Sequence, residues 1–515
     1  MSDAAEELPA GWDVTSLGEV AQIDLGKMLD RKQTAGTPQR YLRNINVRWG
    51  RIDLTDLLEM PFKPDELSRF SIRDEDVLVC EGGEPGRAAV WRFGNTEVRY
   101  QKALHRVRLH ADIGPDWLVY HLMHDAWTGQ LAKRLTGTTI GHLPREVFVE
   151  HPLRVAPLAE QRRIVEGLDT LLTRLDATVA TLKRVERNLK RYRASVLKAA
   201  VEGLLVPTEA ELARREGRSF EPASELLERI LTERRRRWEE AELARLSSKG
   251  KAPTDTHWNS KYVEPSEPES AGNDNLPEGW CWSALAQLCD SVTDGDHLPP
   301  PQSSTGVPFL VIGNVRTGEV TFDGSRFVSP EYFEQLDPRR KPRCGDVLYT
   351  VTGSFGIPVH VRSNRPFCVQ RHIAILRPSP TVSADLVVQF LGSNLAFRQA
   401  DAMATGTAQK TVPLQLLRRM VLPLPPLAEQ SRIVPEVSRL LSVADAVTET
   451  VASELARCTR LRQSILKAAF EGKLVDQDPS DKPASVLLER IRAERAASAE
   501  AGAKRPRRAA KRDPA

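Results

Sequence analysis

Few residues in this chain are arranged as if to catalyse a reaction. Asp296 stands next to His297, a carboxylate and an imidazole that could pass a proton between them. No third residue at a known spacing orients the pair, so reading a base or holding a turn is the simpler role. His121 and His124 lie one helical turn apart and could offer two metal ligands. No further ligand cluster accompanies them in the sequence, and a helix surface is expected rather than a metal site. The stretch GGEPGRAA at 82–89 is glycine-rich but lacks the GxxxxGK[ST] pattern that cradles phosphate. The run RRRR at 234–237 falls within LLERILTERRRRWEEAELARL, and a solvated helix face is expected there. The chain carries no [DNS]PP[YFW] motif of adenine methyltransferases, no glycine-rich cofactor loop after a strand and no Walker motif. It is expected to bind rather than to catalyse.

The totals fit that expectation. The 515 residues suffice for two to four domains, and 41% hydrophobic with 28% charged residues can bury cores. A net charge of +4 permits a polyanion partner without demanding one. The six cysteines, at 80, 281, 289, 344, 368 and 458, form no CxxC pair, which supports neither a zinc knuckle nor a disulfide frame. The first residues, MSDAAEELPAGW, are acidic and lack an apolar signal region. No apolar run approaches the roughly 18 residues of a membrane span. A cytoplasmic protein with no membrane partner is expected.

The elements that must position any binding residues come in two copies. LPAGW at 8–12 returns as LPEGW at 276–280, and NVRWG at 46–50 as NVRTG at 314–318. DVL at 76–78 returns at 346–348, and TGT at 136–138 at 405–407. PLAEQRRIV at 157–165 returns as PLAEQSRIV at 426–434, and SVLKAAVEGLLV at 195–206 as SILKAAFEGKLV at 464–475. The offset stays between 268 and 270, then shifts to 261 where PASELLERI at 222–230 answers PASVLLERI at 483–491. Two copies of one unit differ most in their first 150 or so residues and agree most from PLAEQ onward.

Each head reads as α/β (α+β). DVLVC at 76–80 and VRYQKALHRVRL at 98–109 have strand character, WLVYHLMHDAW at 117–127 has helical spacing, and GGEPG and TGTTIGH are turns. The second head repeats the layout with DVLYTVTGSFG (346–356), CVQRHIAIL (368–376) and ADLVVQFLGSN (384–394). From PLAEQ the apolar positions step by threes and fours: Ile164, Leu168, Leu171, Leu175, Val179, Leu182, Val185, Leu189, Tyr192 and Val196. The second copy runs Val437, Leu440, Ala444, Val447, Val451, Leu455, Cys458, Leu461 and Ile465. Pro157 and Pro426 precede the first turns, and Gly203 and Gly472 mark the stops. Two such seams can bury each other as an antiparallel coiled coil, giving internal pseudo-two-fold symmetry. The expected order is a head at 1–156, a helix at 157–206, a helical extension and flexible linker at 207–275, a second head at 276–425, a second helix at 426–475, and an extension with a basic disordered tail at 476–515.

These motifs, each present twice and in order from about Leu8 to Arg495, resemble the specificity subunit of type I restriction–modification systems. The resemblance implies two target recognition domains, each reading one half of a bipartite, asymmetric double-stranded DNA site. It implies antiparallel helices that set the unread spacer. It implies docking of two adenine-N6 methyltransferase subunits and, for restriction, two motor–nuclease subunits. The chain itself would bind no cofactor; S-adenosylmethionine, Mg and ATP would serve through the other subunits. Two alternatives are a recognition subunit for a fused methyltransferase–nuclease, and a coiled-coil adaptor without a DNA role.

DNA contacts call for basic and amide or hydroxyl side chains on loops and strand edges. In the first head these are Lys27, Arg31 and Lys32 after the first strand, Arg43, Asn44 and Arg48 near NVRWG, and Arg87 in GGEPGR. Lys102 and Arg106 share a strand face by period two, and Thr136, Thr138 and Thr139 lie on the TGTT loop. The second head offers Asp296, His297, Asn314, Arg316, Thr352, Ser354, Gln370, Arg371, His372, Thr407, Gln409 and Lys410. A surface Arg or Lys taken singly is ordinarily just a solvated charge. The loops carry more weight, because both copies place polar, glycine-bearing turns at equivalent points.

Overall fold

The computed structural model describes residues 8–29, 36–110, 112–137, 141–248, 250, 257–268, 276–296, 300–316, 318–407 and 409–503. Arg31, Lys32, Thr138, Thr139, His297 and most of the basic tail lie outside the described residues.

Each head is built on a four-stranded antiparallel sheet. In the first, the order is Ala21–Leu25, Leu104–Leu109, Val77–Cys80, Ala88–Val90. In the second it is Cys289–Asp294, Ile373–Pro378, Val347–Thr350, Pro358–His360. Val77–Cys80 and Val347–Thr350 are buried at every position because both faces of the sheet are covered. The period of two sorts them: Val77 and Val79 face one core and Leu78 and Cys80 another, as do Val347 and Tyr349 against Leu348. On one face lies a helix, Pro115–Trp127 or Ala384–Leu391. On the other lies a three-stranded sheet, Leu58–Phe62, Thr37–Leu42, Arg99–Tyr100 or its counterpart Arg326–Val328, Val307–Leu310, Cys368–Val369. Inside each head Asp76 and Asp346 take paired bonds from Arg108 and Arg377 at 2.7–2.9 Å.

The long helices run Leu158–Val201 and Leu427–Phe470, 44 residues each. At 1.5 Å per residue that is about 66 Å. The chain divides into two compact units that do not follow its linear order: residues 1–183 with 452–515, and residues 184–451. Within the first unit the opening of the first helix packs against the close of the second, with Leu168, Leu172 and Leu175 in one core with Cys458, Leu466 and Phe470. Asp176 pairs there with Arg462, and Arg163 with Asp481. Within the second unit Arg193 pairs with Asp445, and Arg432 with Glu209 at 2.7 Å. In both units one helix ascends as the other descends, so the pairing is antiparallel.

The seam departs from the sequence-based positions in places. Leu172, not Leu171, is buried, and Tyr192, Val447 and Leu461 are exposed while Leu466 is buried. Val437, Ala444, Val451 and Cys458 are all buried at a spacing of seven.

The LPxGW motif closes each unit. Gly472 ends the second helix at φ +68°, where a Cβ would sit 2.5 Å from Pro9 Cγ; Gly203 ends the first at φ +67°, 2.4 Å from Pro277 Cγ. The Gly11 and Gly279 carbonyls accept from the Ala484 and Ala223 amides at 2.8 and 2.7 Å, fastening the PASxLLERI helices. Glu160 and Glu429 stand in the first turns of the two long helices. Both are buried, and burial pushes their carboxyls up, partly offset by the Trp12 and Trp280 indoles.

Two further expectations are corrected. The RRRR run is only partly a solvated face. Arg234 donates to the Cys289 carbonyl and the Tyr262 hydroxyl, and Arg237 donates to Asp290 and Ser379, so the helix Ala223–Ser248 is pinned to the second head. In the segment expected as a flexible linker, Trp258 and Tyr262 pack on Trp238, with centroids at 6.3 and 5.2 Å.

Candidate nucleic-acid interface

The strands of each central sheet alternate in direction, so four loops meet at one end. In the first head the Lys102 amide donates to the Lys27 carbonyl at 2.8 Å, and the Glu81 amide to the Ala103 carbonyl at 2.9 Å. Leu143 N donates to the Glu81 carbonyl at 2.8 Å, and Thr136 and His142 exchange bonds at 2.9 and 2.8 Å. Asn44 Nδ2 reaches the Gly82 carbonyl at 3.2 Å. Gly83, at φ +84°, would place a Cβ 2.6 Å from Asn44 Nδ2, so only glycine lets these two loops meet. The second head repeats the meeting. Val351 N donates to the His372 carbonyl at 3.0 Å, Val412 N to the Val351 carbonyl at 2.8 Å, and Gly353 N to the Lys410 carbonyl at 2.9 Å.

The geometry divides the expected contacts. Arg48, Lys102 and Thr136 are exposed in the first head. Arg316, Ser354, Arg371, Thr407, Gln409 and Lys410 are exposed in the second, and Lys410 pairs with Asp401 at 2.7 Å. Asp296, Gln370 and His372 are half-buried and line one cavity. Asn44, Arg43 and Arg87 are half-buried: Arg43 pairs with Asp56, and Arg87 donates to Glu84 and to the Asn44 carbonyl.

Four expected contacts are structural. Lys27 is buried, donates to the Pro61 carbonyl at 2.8 Å and pairs with Glu66. Arg106 is buried against Asp24 and the Arg69 and Ser71 carbonyls. It shares no strand face with Lys102, because the strand begins at Leu104 and Lys102 sits in the turn before it. Asn314 is buried, accepting from Val311 N at 3.0 Å and donating to the Asp323 carbonyl at 3.0 Å. Its counterpart is Asn46, not Asn44, and is equally bonded within its turn. Thr352 is buried with its hydroxyl 3.3 Å from that of Thr411. Sequence reasoning also missed Glu81 and His142, which meet at 3.3 Å between two of the loops. The only signal was the histidine closing TGTTIGH.

His121 and His124 are not on a surface; both are buried. His121, Asp125 and His151 bring one ligand atom each within 4.8 Å of one another, an arrangement that could hold a metal ion. Proton accounting reads it otherwise. The Arg154 amide donates to His121 Nε2 at 3.2 Å, so that nitrogen holds the lone pair and Nδ1 carries the proton. His121 Nδ1 then faces Asp125 Oδ2 at 3.3 Å with no lone pair for a cation. His151 Nε2 lies 2.8 Å from the same oxygen and His124 Nδ1 3.0 Å from the other. Three imidazoles thus surround one buried carboxylate. Burial opposes its charge, but His121 and the hydrogen bonds from His124 and His151 outweigh that and hold its pKa well below the usual carboxylate range. Burial pushes His121 down to about 4. The second head places Phe390, Asn394 and Met420 at the matching positions, and Pro423, which has no N–H to satisfy, where Arg154 stands.

Known proteins can now be set beside this frame. The specificity subunit of the type I restriction enzyme EcoKI from Escherichia coli K12 is 26% identical over 96% of this chain and 98% of its own length. That of EcoBI, also from Escherichia coli, is 28% identical over 83% of this chain and 81% of its own. By sequence the chain is similar to the specificity subunits of type I restriction enzymes along nearly its whole length. A chain from a solved type I restriction–modification assembly shares the fold, with a TM-score of 0.58 at 21% identity, covering 91% of this chain and 99% of that one. No family model matches. Among the described residues, no helix is long and apolar enough to cross a membrane.

Proposed function

We propose that this chain is the specificity subunit, the non-catalytic DNA-reading chain, of a type I restriction–modification complex, each head reading one half of a split, asymmetric site. The observation that carries the reading is the pair of loop clusters. The same sheet end is built twice from the same backbone bonds, and both carry an exposed arginine and threonine, Arg48 and Thr136 or Arg316 and Thr405, yet the second presents Arg371 where the first has Lys102 and Lys410 where the first has Gly141. Different side chains on equivalent frames suit different half-sites. The two long helices set the unread spacer and, with the extensions, dock two methyltransferase subunits; two motor–nuclease subunits join for restriction. S-adenosylmethionine, Mg and ATP act in those partners, in the cytoplasm. The test is a single-molecule map of N6-methyladenine in a host carrying the methyltransferase with and without this chain. A split motif that depends on the chain is expected. An active, soluble complex that yields none would favour a coiled-coil adaptor.

A further inference from the structure

The first long helix carries a stripe of positive charge that nothing in the fold answers. Arg184, Arg187, Lys190 and Arg191 are all exposed. At 3.6 residues per turn the other three lie within about 60° of Arg187 around the helix axis. Val185 and Leu189 fall on the opposite side and are half-buried, so the stripe looks outward, away from the seam. Among the described residues none of the four has an ion-pair partner. Cations elsewhere on the two helices do: Arg193 pairs with Asp445, Lys198 with Glu202 at 3.8 Å and Arg439 with Glu436 at 2.7 Å. Glu186, one turn before Lys190 and exposed, does not bridge to it.

Folding does not need this stripe. Arg187 stands three or four residues from each of Arg184, Lys190 and Arg191, and like charges at those spacings weaken a helix. The second long helix, also 44 residues, forms with Ser453, Ala456, Thr459 and Arg460 at the matching positions. The stripe also makes a poor protein interface. No apolar residue is exposed between Arg184 and Arg191, whereas the centres of protein interfaces are depleted of charge and rich in aromatic side chains. Two copies of one methyltransferase would engage matching surfaces on the two helices, and the stripe occurs once. Unpaired arginines and lysines are the side chains that hold phosphates, and the duplex is the partner present in a single copy.

We propose that Arg184, Arg187, Lys190 and Arg191 bind backbone phosphates of the unread spacer, so that the first helix grips the DNA between the half-sites as well as setting its length. From Arg184 to Arg191 the helix rises about 10 Å. A duplex of that length carries about six phosphate charges, enough for four cations. Contacts to phosphate fix position and carry no base preference, so the spacer is held while its sequence stays free.

The inference rests on the DNA-reading role proposed above. The full chain with its methyltransferase partner is titrated with duplexes containing the mapped site, in which uncharged methylphosphonate linkages replace the spacer phosphates one at a time. Binding several-fold weaker is expected at two or three neighbouring linkages. In a chain carrying Arg184→Gln and Arg187→Gln those same linkages should no longer matter, and the salt slope of binding should fall by about two. Phosphates held by the methyltransferase or by the heads would keep their penalty in the variant, so the loss of coupling is specific to the stripe. A thermal melt of the variant, from which like-charge repulsion has been removed, should show no loss of stability. An unchanged salt slope, with every neutral linkage as harmful to the variant as to the parent, would overturn the inference. Loss of methyltransferase from the variant complex in native mass spectrometry would assign the stripe to protein docking and overturn it too. A parent complex that does not distinguish the mapped duplex from random DNA would instead sink the DNA-reading role itself.

Discussion

Arg106 and Arg371 both stand near the loop end of a central strand, yet only one is placed to meet a ligand. Arg106 is 3% exposed and pairs with Asp24, whereas Arg371 is exposed. Removing half of a buried ion pair leaves the other charge uncompensated, so Arg106→Ala should cost about 3 kcal/mol, discounted because Asp24 is partly open to water. Urea unfolding would measure it. Arg371→Ala should change stability by less than about 0.5 kcal/mol and lower the salt slope of DNA binding by about one. An unchanged slope would remove Arg371 from the interface. The sequence placed the polar turns but not which of their charges are exposed, because burial of Lys27 depends on Glu66 and Pro61, 39 and 34 residues away. The same blindness put His121 on a surface. With its pKa pushed down to about 4, His121 takes up its proton later than the unfolded chain does. Stability is whole above pH ~6.5 and falls as pH drops from there toward 4, by roughly 3 kcal/mol. The low-lying Asp125 extends the loss to lower pH. Hydrogen exchange at pH 7 and pH 5 should show the amides around Pro115–Trp127 opening more than those around Ala384–Leu391, which has Phe390 instead. Equal loss in both heads would exclude this network as the cause.

At the scale of elements, the helices were the most legible part. Period, preceding proline and terminal glycine placed both to within a few residues, because each signal is local. The seam was less so. Leu171 and Leu172 are both leucines, and only packing against Cys458 and Leu466 decides which faces inward. LPxGW was visible as a repeat, but its purpose lies in a helix-ending glycine far off in the chain, 460 residues from Trp12 to Gly472 in one unit and 77 from Gly203 to Trp280 in the other. Gly472→Val combines a left-handed backbone with a clash at Pro9 and should destabilise by about 1–3 kcal/mol. Gly50→Ala, also at positive φ but with open space around its Cβ, isolates the backbone part of that cost in a thermal melt. Deleting one heptad from each long helix should shorten the unread spacer while both half-sites keep their bases. Altered half-sites in the methylation map would refute the helices as a ruler.

For the whole molecule, two heads on a repeated frame should bind DNA mainly through phosphates, with affinity falling steeply as salt rises. Exchanging one head for that of a relative should alter one half of the methylated motif and leave the other intact; a motif changed in both halves would show that the heads do not read independently. The division of the chain has a further consequence in time. The second unit is one continuous stretch, Arg184–Val451. The first waits for residues made about 270 positions after Lys183, among them Phe470 and Ile491, which complete its core. At typical rates of synthesis that is a delay of roughly 15–50 s. The head that leaves the ribosome first is thus the last to be finished, and until then the surface meant for Phe470 stays open to chaperones and to the matching helix of another nascent chain.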